Sequence, residues 1–397
     1  MITDMNKYNT ILGQLLEGVN RPRFQVLVKK YEADRYYKKI TAWNQFVTMI
    51  FAVMSNQSGL RSTVNALNRE KSSFYHLNLN IDGIKKSTLA YANENRPCEF
   101  WEEVFYMVCE RAEKVIPEEN FSFKNPLYAI DGSTLDLNID DFEWAEFRTT
   151  KSGVKMLVKY DLRRNIPTQC DIKNAKEHEN QTLTEMKLYK GDIGVFDRGY
   201  FNFETFEKFC KEGILFVTRL KDNTKHETME EIEVPKRKEF KNILSDEKIK
   251  FTSKVGKEKG PSKLRKIVSV DEKTGKKITL LTNIFDMDSS EIAAIYRRRW
   301  RIELFFKSIK QNVKIKKFFG QSENAVKTQI WIAMIVYLLF AILTATMKGL
   351  SPESRCFTRF LCEIQFSLFR RISILDWLFH KIPDKTDFRD SQPRLPF

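Results

Sequence analysis

Three acidic residues have types and settings that could do chemistry. Glu303 is the single acid among nine lysines and arginines between Arg297 and Lys317, a run that begins in YRRRWRIELFFKSIK. A helix face made only for solubility mixes both signs. Asp131 follows the apolar run LYAI and Asp197 follows IGVF, and each precedes a glycine-containing sequence, DGST and DRGY. Three carboxylates with no histidine or cysteine ligands beside them suit hard divalent cations such as Mg²⁺. Two such ions about 4 Å apart can clamp the attacking and leaving oxygens of a phosphodiester. Each acid also has a plainer reading. A lone strand-end aspartate is more often a turn former, and Glu303 is spaced from Arg299 as for a surface ion pair. Those readings must hold at all three positions together, and they leave the basic run unexplained. Asp136 lies close to Asp131, but Asp131 is preferred because it directly follows the apolar run.

A helix over residues 295–317 would position Glu303. At 3.6 residues per turn, Ile295, Ile302, Phe306, Ile309 and Val313 fall on one core-facing stripe. Tyr296, Arg299, Glu303, Lys307, Lys310 and Lys314 fall on the next. Asp288-Ser289-Ser290-Glu291 has the pattern of a capping box that opens this helix.

The two aspartates sit in a region that reads as mixed strand and helix. LYAIDGSTLDL is expected to turn at Gly132-Ser133, and VKMLVKYDL and IPTQCDIKN read as further strands. AKEHENQTLTEMKLY and NFETFEKFCKEG read as helices, with IGVF and ILFVTRL as the strands after each. This order is that of an RNase H-like fold, in which the first and fourth strands are neighbours. Asp131 and Asp197 would then lie side by side. Residues 221 to about 280, rich in lysine and glutamate, read as a β-rich insertion apart from the main core.

Upstream, residues 1–115 carry apolar residues at three- and four-residue intervals and read as all-helical. Asn56-Gln57-Ser58-Gly59 followed by LRSTVNALNREK is compatible with a helix-turn-helix and equally with an ordinary helical hairpin. Residues 346–397 read as a helical C-terminal region. WIAMIVYLLFAILTATM, residues 331–347, is apolar enough to cross a membrane, but a helix buried on all sides gives the same pattern and is preferred.

A net charge of +15 and a pI near 9.3 favour phosphate-rich partners. Six cysteines without a CxxC pair, and four scattered histidines, argue against a zinc site. The polar N-terminus, MITDMNKYNT, is unlike a signal peptide, so a cytoplasmic, non-membrane protein is expected.

IDGST around Asp131, FDRGYFN around Asp197, and the spacing Y-x2-R-x3-E-x6-K at Tyr296, Arg299, Glu303 and Lys310 resemble the DDE transposases of bacterial insertion sequences. The match is to the branch named for that Tyr-Arg-Glu-Lys motif, the insertion sequence four family. The resemblance covers residues 120–345, the expected catalytic core, and the helical segment 1–115 resembles the end-binding domain of many members. It implies an α/β fold with an RNase H-like catalytic core, a β-rich insertion and an all-helical N-terminal DNA-binding domain. It also implies cut-and-paste DNA transposition. Asp131, Asp197 and Glu303 would hold two Mg²⁺ ions, with Mn²⁺ able to substitute. Water would release the 3′ end, and the 3′-OH would attack the opposite strand to form a hairpin. Tyr296, Arg299 and Lys310 would hold phosphates, with Lys307 and Lys314 on the same ridge, and Trp300 would lie near a displaced base or simply pack. Double-stranded DNA, as transposon ends and target, would be the partner of a homodimer. His178-Glu179 falls where the family has a histidine–acid pair, though an exposed helical histidine is the preferred reading. Two rivals remain: an RNase H-like nuclease or resolvase without strand transfer, and an inactive DNA-binding descendant.

Overall fold

Side-chain caps and apolar spacing account for the first helices. Thr10, Asn20 and Thr41 each accept a hydrogen bond from a first-turn backbone N–H, satisfying donors that a helix cannot satisfy internally. They open α1 (Ile11–Leu16), α2 (Arg21–Lys30) and α3 (Ala42–Met54) in this computed structural model. It describes residues 9–138, 140–148, 151–175, 183–271, 275–312, 318–345 and 357–381. All of α3 is buried. Asn56, in the left-handed region at φ 56, turns the chain into α4 (Leu60–Arg69). Next come α5 (Lys86–Asn95) and α6 (Cys98–Val115), which starts directly after Pro97. Phe24, Trp43, Phe46, Phe100 and Trp101 stack into one aromatic cluster among these helices.

The strands follow. They are β1 (Leu127–Leu137), β2 (Glu146–Arg148), β3 (Lys151–Asp161), β4 (Ile166–Asn174), β5 (Ile193–Val195), β6 (Leu215–Arg219), β7 (His226–Glu231), β8 (Ile243–Phe251), β9 (Leu264–Val270) and β10 (Lys277–Thr282). Among the described residues they form one sheet in the order β2-β3-β1-β5-β6-β10-β9-β8-β7, with β4 also on β3. β1 is antiparallel to β3 and parallel to β5, and β5 is parallel to β6.

Three expectations change here. The turn at Gly132-Ser133 is absent, because β1 pairs without interruption with β3 from Tyr128↔Asp161 to Leu137↔Ser152. The lysine- and glutamate-rich segment does not stand apart from the core. Its strands β7 to β9 extend the sheet through β10, and their alternate side chains Ile249, Phe251 and Leu264 join Phe201, Phe206 and Phe216 in one apolar cluster. Composition hid a period-two pattern that buries one face. Of the helix expected over AKEHENQTLTEMKLY, residues 176–182 lie outside the described residues; Leu183–Glu185 form a single 3₁₀ turn and residues 186–189 are not helical.

The helices on the second half of the chain are α7 (Phe203–Glu212), stopped by Gly213 at φ 68 as its glycine suggested, and α8 (Lys254–Lys259). After them come α9 (Ser289–Arg298), α10 (Trp300–Asn312), α11 (Glu323–Ala345), α12 (Phe357–Ile364) and α13 (Ile374–Lys381). The chain divides into two compact units. One holds Met1–Pro117, Asp140–Trp144 and Lys307–Phe397; the other holds Glu118–Ile139 and Ala145–Phe306. The apolar helix α11 therefore belongs with the N-terminal helices, packing on α3, α5 and α6, whereas the sequence had assigned it to the sheet-bearing core.

Candidate active site

The parallel strands set the positions of the two aspartates. Ala129 on β1 is level with Val195 on β5, and Val195 with Val217 on β6. Two residues further along each chain come Asp131, Asp197 and Arg219, in a row where β5 has ended. The carboxyl ends of parallel strands are where a twisted sheet opens a crevice for ligands. Arg219 was not singled out in the sequence; its only signal was its place at the end of an apolar strand.

The helices α9 and α10 bring the third acid. Tyr160 on β3 packs its ring against Phe305 at 5.3 Å. Ile295, Ile302, Phe306 and Ile309 are all buried, as the stripe required, while Val313 lies outside the described residues. Two features of the expected helix differ. Asp288 caps α9 with its backbone and not its side chain, so the capping box does not close. The helix is also not continuous, because it breaks at Arg299 between α9 and α10. Arg298 and Arg301 flank the break and donate to the two oxygens of Glu119 at 2.6 and 2.7 Å. Arg301 also donates to Asn165, and the Arg298 guanidinium lies 4.2 Å from the Phe121 ring centroid. These two arginines thus leave the basic ridge that composition suggested.

Arg299 turns to the acids. It donates to Asp131 Oδ2 at 3.1 Å and to Glu303 Oε1 at 2.7 Å. The Tyr296 hydroxyl donates to Asp197 Oδ1 at 3.4 Å. Burial pushes the Asp131 carboxyl up to about 6; Glu303 and Asp197 add to the rise, and Arg299 pulls against it. Burial also pushes the Tyr296 phenol up to about 12, with the Asp197 charge adding to it. Burial works against the charge on Arg299, yet Tyr296, Asp131 and Glu303 together hold its pKa above the ordinary value. The Asp131 carboxyl therefore feels the charges of Glu303 and Asp197, and the Arg299 guanidinium bridges Asp131 to Glu303.

Among the described residues no three carboxylate, histidine or cysteine side chains are drawn up at metal-ligand distances. The donor chemistry nonetheless fits a hard divalent ion. All three groups are carboxylates, and burial, with smaller contributions from Glu303 and Asp197, disfavours the charged form of Asp131 that a cation would stabilise. Lys307 is exposed on α10 and Lys310 half-buried. Trp300 is 58% exposed, so its indole is not a packing residue here. Lys314 and the His178-Glu179 pair lie outside the described residues.

The family "Transposase DDE domain" matches residues 122–339, more than half of the chain, and takes in Asp131, Asp197 and Glu303. The chain belongs to the DDE transposase family. Within it, the chain is 32% identical over 256 residues to a Sinorhizobium fredii protein named as the transposase y4zB, covering 64% of this chain and 70% of that one. It is 29% identical over 243 residues to a protein named for insertion sequence element IS5377 of Geobacillus stearothermophilus, covering 60% and 62%. It is 23% identical over 321 residues to one named for insertion sequence element IS4SA of Synechocystis, covering 78% and 85%. Ahead of the transposase domain, residues 7–79 match a "Domain of unknown function (DUF4372)". Membership makes this an enzyme that cleaves and joins DNA, and in general a metal-dependent one. Among the described residues one helix, Glu323–Ala345, is long and apolar enough to cross a membrane, and 78% of its most apolar window is buried inside the protein.

Proposed function

We propose that this transposase excises and inserts its element by a cut-and-paste route, with Asp131, Asp197 and Glu303 as its catalytic carboxylates. The observation that carries the reading is that Arg299 bridges Asp131 and Glu303 while the Asp131 carboxyl also feels the charge of Asp197, which supports a shared role for acids drawn from three parts of the chain. The strand order β4-β3-β1-β5-β6, with β3 alone antiparallel to the other four, supports an RNase H-like core. The three carboxylates would hold Mg²⁺, with Mn²⁺ as a substitute. Bound there, the metal supplies Lewis acidity at the scissile phosphate.

The chain's own residues do the rest. Arg299, released from the acids, presents a planar fork to a phosphate. Tyr296 keeps its proton at neutral pH and donates to an oxygen beside Asp197. Arg219, Lys307, Lys310 and Lys314 add positive charge for the backbone without reading sequence. The exposed Trp300 ring offers a face on which an unpaired base can stack. The released 3′-OH attacks phosphorus on the opposite strand. A new P–O bond forms as the old one to the flank breaks, leaving a hairpin end. Two ends need two active sites, hence a homodimer on DNA in the cytoplasm.

The test is a gel assay with the full chain, Mg²⁺ and duplexes carrying the DNA that flanks the coding region. Nicked, hairpin and transferred products are expected from the parent. Asp197→Asn should lose cleavage by at least about a thousandfold while still binding the ends. Cleavage within a few-fold of the parent would remove Asp197 from the site. Cleavage without strand-transfer products would leave a nuclease.

A further inference from the structure

The helix α4 presents a polar face that nothing among the described residues uses. Leu60, Thr63, Val64 and Leu67 are buried and fix how the helix is rotated. Arg61, Asn65 and Arg69, spaced four residues apart, are all exposed on the other side. Among the described residues no hydrogen bond or ion pair engages their side chains. No acid occurs between Leu60 and Arg69, although a solvated face usually mixes charges. Arg61 and Arg69 are about 12 Å apart along the axis, so the three side chains form one row along a helix of a size that a DNA major groove admits.

The surroundings fit the same partner. The fully buried α3 and the left-handed turn at Asn56 set α4 on a rigid base. Asn68 clamps the backbone of Ile84 through both its amide atoms, at 2.9 Å each. That clamp brings exposed Lys85 and Lys86 beside α4, with Lys71 packed near Gly83. A central row of arginine and asparagine with lysines alongside matches what duplex DNA offers: base edges within a groove and phosphates at its rims.

We infer that α4 is a base-reading helix that enters the major groove of the element's own ends, with Arg61 and Arg69 facing guanines and Asn65 facing adenine. This rests on the transposase reading and deepens it. It narrows the expected end-binding segment 1–115 to one helix and three side chains, within residues 7–79 that match a domain of unknown function.

The experiment selects duplexes from a pool of 40-bp DNAs with a randomised centre, using the full chain without divalent metal. Single-stranded RNA of equal length competes in a parallel arm. The parent should enrich one motif that also occurs in the DNA flanking the coding region. Asn65→Ala should relax that motif at an adenine, and Arg61→Ala or Arg69→Ala at a guanine, each losing roughly 5- to 150-fold in preference. Alanine favours helix, and thermal unfolding of each variant at the parent's temperature shows the fold intact. Enrichment of an unchanged motif by the triple variant would overturn the inference, as would binding without any motif or preference for RNA. The enriched duplex is then incubated with parent enzyme and Mg²⁺. No cleavage there would sink the transposase reading and leave base reading by α4 standing. Cleavage with an unchanged motif in the variants would do the reverse.

Discussion

Asp131 carries its charge in a place that disfavours charge. Its carboxyl pKa, about 6 in the folded chain against an ordinary 3.8, means that the folded state holds a proton the unfolded state has lost between those pH values. Stability contributed by this group is therefore present below pH 4 and is lost as pH rises through 6. The loss is on the order of 3 kcal/mol, from roughly two pH units at 1.4 kcal/mol each. Asp131→Asn should thus stabilise the metal-free protein at pH 7.5 and lose that gain as pH falls toward 4.5, which paired thermal melts would detect. Melts that differ equally at both pH values would show that burial of the charge is not the cause. Arg299 now offsets part of this crowding, so Arg299→Gln should lower the Mg²⁺ concentration giving half-maximal thermal stabilisation, by about threefold or more. An unchanged or higher concentration would mean that the guanidinium does not compete with the ion. Asp131, Asp197 and Glu303 stood out in the sequence as the proposed carboxylates because acids after apolar runs, or alone among bases, are conspicuous. The Arg299–Asp131 bond was not, since its partners are 168 residues apart, and neither was Glu119, 179 residues from Arg298.

At the scale of elements, periodicity located the helices but not their interruptions. The buried stripe from Ile295 to Ile309 was readable from spacing alone. The break at Arg299 was not, because all its neighbours are good helix formers and its flanking arginines are held by Glu119 from a distant loop. The strand β1 was misread as two because Gly132-Ser133 is turn chemistry locally, while the full ladder with β3 overrides it. The insertion was misplaced for a related reason. Its core position depends on Arg265 and Asp246, 5% and 2% exposed, whose charges looked like surface. Arg265 donates twice to Asp246 and also to the carbonyls of Ile284 and Met287, tying β9 to the segment that enters α9. Asp246→Ala leaves a buried, unpaired guanidinium and should cost about 3–5 kcal/mol. Asp246→Leu with Arg265→Met should recover most of that loss in a denaturant titration. A single variant as stable as the parent would show that water reaches the pair.

For the whole molecule, the charge of +15 forecast a phosphate-rich partner but said nothing about how the chain is divided. Reading along the sequence set residues 1–115 apart from an expected core at residues 120–345, a division that would let the core fold without them. The packing argues otherwise. In the helical unit, Trp331 of α11 lies against Phe105 of α6 with ring centroids 5.2 Å apart, and sixteen of the helix's residues are buried. Most of that surface faces α3, α5 and α6, all of which the deletion removes. At about 25 cal/mol per Å², a bared helix of this length would expose far more apolar surface than a marginally stable fold tolerates. Residues 116–397 made alone should therefore aggregate or pellet with membranes, and residues 1–115 added in trans should restore part of the soluble fraction. Size-exclusion chromatography and thermal unfolding give the readout. A monodisperse 116–397 fragment with one sharp unfolding transition would show that α11 is buried by its own half of the chain, and that residues 116–397 fold without the N-terminal helices.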